Sequence, residues 1–138
     1  MACPFFHPTA RFADGAWIQP PRLPLGDPCR GECTATPGAP PGLDDLRANC
    51  NVGYTRDRCE RFPRDPALPD AHRFSIESDQ TDSIVVVYIE EKDYTPMRFG
   101  PLTYRIAGAR FEPEPPSANL EAQARMFVAS YLERRANP

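Results

Sequence analysis

Ile84-Val85-Val86-Val87-Tyr88-Ile89 is the strongest strand signal in this chain of 138 residues. β-Branched and aromatic side chains crowd a helix but fit a pleated, half-buried surface. The run is continuously apolar, which predicts burial on both faces and a cover for each. Upstream, His72-Arg73-Phe74-Ser75-Ile76-Glu77 alternates with period two, as does Thr103-Tyr104-Arg105-Ile106 downstream. Residues 79–82 supply a polar turn before the apolar run. Residues 90–101 read as a longer connection, punctuated by Pro96, Gly100 and Pro101. Gly108 reads as a tight turn between Ile106 and Phe111. The result is an antiparallel sheet of three or four strands.

A helix follows over residues 117–135. Ser117 is a good N-cap after Pro115-Pro116. Leu120, Ala124, Phe127 and Tyr131 recur at helical spacing, and Val128 and Leu132 widen the stripe. Arg134 and Arg135 suit the negative end of the helix dipole. This helix is expected to cover one face of the sheet.

Residues 1–69 follow a different grammar. They hold 12 of the 18 prolines, too many for a helix or a central strand. One short helix is expected at about 42–49, with Asp44 and Asp45 in its first turn. Trp17, Phe5, Phe6, Phe12, Leu23 and Leu25 either form a small apolar layer or dock on the second half. The fold class is therefore α+β: an irregular Cys/Pro-rich arm over 1–69, then the small sheet packed by a C-terminal helix over 70–138. The length fits one compact unit.

All five cysteines lie in the arm, at Cys3, Cys29, Cys33, Cys50 and Cys59. The charge is nearly balanced, with 16 basic and 19 acidic residues, which argues against bulk nucleic-acid or membrane-surface binding. Fifteen of the basic residues are Arg, a bias that reads as bacterial-like, GC-rich composition. No apolar run reaches the 18 residues of a membrane span, and Met1-Ala2-Cys3-Pro4 does not begin a signal peptide. A reducing, cytoplasmic location is expected. There, clustered cysteines bind metal or do redox chemistry more often than they form disulfides.

The spacing Cys3-x25-Cys29-x3-Cys33-x16-Cys50-x8-Cys59 contains one close pair. Zinc ribbons present their thiolates as two close pairs, whereas separated thiolates in proline-rich loops suit a [4Fe-4S] cluster gripped from several directions. Zinc remains the alternative metal. Cys3, Cys33, Cys50 and Cys59 are the expected ligands. Cys33 is preferred to Cys29 because Gly31 and Thr34 let backbone come close to a sulfide, whereas Pro28 and Arg30 crowd Cys29. Cys29 is the possible alternative ligand, and His7 can also replace Cys3. The Cys3-Pro4 pair is similar to the end of the common ferredoxin run. One remote N-terminal Cys joining a later group resembles the iron-staple clusters of some nucleic-acid enzymes. That resemblance covers ligand layout alone, and no nuclease or helicase motif accompanies it.

Four arginines fall in residues 56–64, and Tyr54 and Arg58 are the expected outer partners of the cluster, offsetting its charge or donating to sulfur. The same loop can dock nucleic acid or an acidic protein, or simply be a solvated loop. No phosphate loop, nucleotide fingerprint or metalloprotease helix is present. The paired acids Asp44-Asp45 and Glu90-Glu91 read as solvated ends, so independent catalytic activity is not expected. Three functions remain. One is electron transfer or redox sensing with a protein partner. Another is a metal-stapled docking module for protein or nucleic acid. The last is a thiol redox protein using Cys29 and Cys33.

Overall fold

The apolar run lies within strand β4 (Ser83–Lys92), and its burial alternates. Ile84 and Val86 are fully buried and Tyr88 nearly so, whereas Val85, Val87 and Ile89 are half-buried. The expected burial on both faces is thus corrected to one covered face. The structure is a computed structural model that describes residues 2–12 and 23–136. Trp17, Pro20 and Pro21 lie outside the described residues.

β4 pairs antiparallel with β3 (Ala71–Asp79) on one side and β5 (Thr95–Arg105) on the other. β6 (Arg110–Glu112) pairs with Thr103, Tyr104 and Arg105 only. The connection expected over 90–101 is therefore strand. β4 and β5 meet in a tight turn at Asp93 and Tyr94, whose φ angles of 51° and 61° match the right-handed twist of a hairpin. Pro96 and Pro101 are tolerated because β5 is an edge strand before Thr103, where a missing N–H costs no ladder bond to a further strand. Tyr88 lies across Gly100, its cross-strand partner, where a Cβ would stand 3.3 Å from the ring.

Helix α2 (Ala118–Ala136) begins as expected, with the Leu120 N–H donating to Ser117 Oγ at 3.1 Å. Leu120, Ala124 and Val128 are buried, and Phe127 packs against Phe74 with ring centroids 5.7 Å apart. The helix lies mainly along the arm and reaches the sheet through β3 and β4.

The arm has more regular structure than its prolines predict. β1 (Phe6–Arg11) and β2 (Cys29–Cys33) form an antiparallel ribbon whose register shifts between Pro8 and Ala10. The short helix expected near 42–49 is one α turn, Leu43–Asp45 (α1), continued by a π-helical turn, Leu46–Cys50. Buried Asn51 ties that turn to β2. Its Oδ1 accepts from the Cys29 N–H at 2.9 Å, and its Nδ2 donates to the carbonyls of Cys29 and Leu46, each at 2.9 Å. Ala2 exchanges two 2.8 Å backbone bonds with His72, extending the β3 edge. Arm, sheet and helix share one core, in which Phe6, Leu25 and Leu46 join Ile84, Val86, Leu102 and Leu120.

Candidate functional site

Four segments of the arm meet at one point. Cys3 lies just before β1 and Cys33 ends β2, while Cys50 ends the π-helical turn. Cys59 closes a turn begun by Thr55, whose carbonyl accepts from the N–H groups of Arg58 (3.0 Å) and Cys59 (2.8 Å). Cys3, Cys33, Cys50 and Cys59 line a single cavity of about 380 Å³, its open mouth included. Phe5, Phe6, Phe62, Ala35 and Pro41 make most of the wall apolar, and Phe5 meets Phe62 edge to face at 5.3 Å.

Backbone and arginine bonds hold these segments together. The Cys3 N–H donates to the Cys50 carbonyl at 3.1 Å, and the Thr34 N–H to the Phe5 carbonyl at 2.8 Å. Arg61, on the cavity wall, donates to Thr36 Oγ1 at 3.1 Å and to the Ala39 carbonyl at 2.5 Å, strapping the loop after β2. Arg58 donates to Asn49 Oδ1 (3.1 Å) and the Ala48 carbonyl (2.9 Å), pinning the end of the π-helical turn. Arg56 clasps Asp70, Asp65 and Leu68 and lies over the Phe62 ring. These three arginines are clamps within the fold.

Burial pushes the Cys3 and Cys50 thiols up to about 12, and repulsion among the neighbouring thiolates adds to the effect. Without a cation these two sulfurs are neutral and unreactive, and a bound metal would reverse that by stabilising thiolate.

Cys29 does not line the cavity. It is fully buried in the core, with its backbone held by Asn51 and its sulfur 3.5 Å from the Asp27 carbonyl. All five cysteines are free. Cys29 and Cys33 stand at opposite ends of β2, about 13 Å apart at the usual strand rise, far beyond the reach of a disulfide. The thiol-pair reading is therefore dropped. His7 faces helix α2, with Nδ1 3.1 Å from Asn119 Oδ1.

The outer partners also differ from expectation. Tyr54 is turned away, donating to Glu91 Oε1 at 2.7 Å and stacking on Tyr94 at 4.1 Å. Arg58 acts one residue removed, through Asn49. Thr55 and Arg61 stand on the wall instead. Thr55 is fully buried, and its hydroxyl is the buried side-chain polar atom that lacks a hydrogen-bond partner among the described residues. The spacing of Thr55 and Cys59, one turn apart, is the sequence signal that would have found it. Gly31 serves a different purpose from the one expected, since a Cβ there would meet the His7 carbonyl at 2.2 Å. Its smallness admits the neighbouring strand.

Among the described residues, no three His, Cys, Asp or Glu side chains are gathered so as to hold a metal ion. No helix of the described residues is long and apolar enough to cross a membrane. Comparison with family models, curated proteins and solved structures gives no match.

Proposed function

We propose that this protein is a small iron–sulfur protein, in which Cys3, Cys33, Cys50 and Cys59 hold a [4Fe-4S] cluster that moves single electrons, or senses redox state, with a protein partner. The observation that carries this is the convergence of four thiols from four segments on one apolar cavity, with the fifth thiol buried elsewhere. Zinc needs all four sulfurs about 2.3 Å from one ion, hence ~4 Å from each other. A cube-shaped cluster places each thiolate on its own iron, which spreads the sulfurs around a larger centre. The orphan Thr55 hydroxyl further supports a cofactor that accepts hydrogen bonds.

The test is purification without oxygen, with iron, zinc and acid-labile sulfide measured on one sample. About four irons and four sulfides per chain, with the visible absorption of thiolate-ligated clusters, are expected. About one zinc without colour would replace the cluster by a structural ion.

A further inference from the structure

We infer that the Thr55 hydroxyl donates a hydrogen bond to a sulfur of the cofactor held by Cys3, Cys33, Cys50 and Cys59, and by doing so sets its reduction potential. The inference rests on the cluster reading and assigns a donor to it. Thr55 has no exposed surface, and its Oγ1 meets no acceptor among the described residues. Valine has the same shape and would fill an apolar wall without burying a hydroxyl, so the hydroxyl needs an acceptor to justify its position.

The other polar side chains on the wall already carry bonds within the fold. Asn49 gives Nδ2 to Asp45 and accepts from Arg58, while Arg61 Nη1 is given to Thr36 and Ala39. Asp45, as a carboxylate, only accepts. The backbone of Thr55 is fixed by the Arg58 and Cys59 N–H groups and preceded by Gly53 and Tyr54 at φ angles of 71° and 53°. A non-glycine residue at positive φ is uncommon, and here it bends the chain directly before Thr55.

The chemistry is a one-electron exchange. A reduced one-electron carrier gives one electron to the cluster core, which passes from its 2+ to its 1+ state; no bond forms or breaks and no proton moves. The added negative charge falls partly on sulfur, so an O–H···S bond favours the reduced form and raises the potential.

The experiment is redox titration of the anaerobically reconstituted full chain, with dithionite as reductant, for the wild type, Thr55→Val and Thr55→Ser. Thr55→Val is expected to hold the same iron and sulfide but to be about tenfold harder to reduce, a fall of about 59 mV for one electron. Thr55→Ser, which keeps the hydroxyl, is expected to titrate with the wild type. A loaded Thr55→Val protein with unchanged potential would overturn the inference and leave the cluster standing. A wild type that takes up no iron and sulfide would overturn the cluster reading itself. Should Thr55→Val fail to assemble, Thr55→Ala supplies the same comparison. Resonance Raman spectra of the wild type in D₂O give a further check, since iron–sulfur stretches without any isotope shift would also overturn the inference.

Discussion

Nε2 of His72 stands 3.4 Å from Oε1 of Glu90, with both side chains almost wholly buried. The two residues are cross-strand partners on the core face of β3 and β4. Gln123 orients the imidazole. Its Nε2 donates to the carbonyls of Cys3 (2.9 Å) and Phe6 (2.7 Å), so its Oε1 must face His72 Nδ1, at 3.1 Å. Nδ1 therefore donates, and Nε2 faces a carboxylate that Arg98 grips with two bonds of 3.1 and 2.8 Å.

Glu90→Gln removes the buried anion that Arg98 and His72 both face. Breaking a buried pair from one side costs about 3 kcal/mol. Urea unfolding of the variant against the wild type measures it, and a difference below about 1 kcal/mol would mean that the buried carboxylate does not support the fold.

The same pair predicts a pH dependence. Burial alone would raise the Glu90 carboxyl, but hydrogen bonds from His72 and Arg98 outweigh it and bring the group from 4.5 down to about 2. A carboxyl lowered on folding stabilises the fold fully above its unfolded value, and that stability is lost as pH falls through the folded one. The stability gap between wild type and Glu90→Gln should therefore narrow from pH 4.5 towards pH 2. A gap that is constant over this range would contradict the assignment.

Serine substitution at Cys3, Cys33, Cys50 or Cys59 should each abolish full loading, read as iron and sulfide per chain. Cys29→Ser should load normally, because that thiol lies in the core away from the cavity. A bleached Cys29→Ser protein would move the ligand set.

Chelation of iron should loosen the arm before the sheet. The four thiols join segments held otherwise by one short ribbon and scattered bonds, such as that from Cys3 to Cys50, whereas β3, β4 and β5 keep a full ladder. Hydrogen exchange should show protection lost over residues 33–62 and kept in β4. Uniform loss would show that the cofactor supports the whole fold.

Gly31→Ala should destabilise by about 2 kcal/mol, since its Cβ would be driven into the His7 backbone. Gly42→Ala meets nothing within 4 Å and should stay within about 0.5 kcal/mol of wild type. Thermal unfolding of both variants decides whether the β1–β2 approach is as close as described.

The features readable from sequence were those set by local chemistry. Ser117 caps α2, Gly108 turns with φ 92° before β6, and the β-branched run forms a strand. What escaped was set by distant partners. Pro8 hides β1, yet the strand forms because its register shifts just past that proline. Pro96 and Pro101 hide half of β5, where an edge position spares them. Glu90 and Glu91 look like a solvated end, but His72, Arg98, Tyr54 and Arg73 bury both within the fold. Cys3, Cys33, Cys50 and Cys59, grouped from their setting in the sequence, do line one cavity. Thr55 and Arg61 were overlooked because a turn and a strap, rather than a motif, bring them to it.

The bonds from Gln123 to the carbonyls of Cys3 and Phe6 tie residues about 120 positions apart. Helix α2 therefore braces the Cys3 side of the cavity from outside, since no residue of the helix stands on its wall. A change at Gln123 would reach the Cys3 thiol through its carbonyl, so the shape of the cavity answers to a residue that never touches its interior.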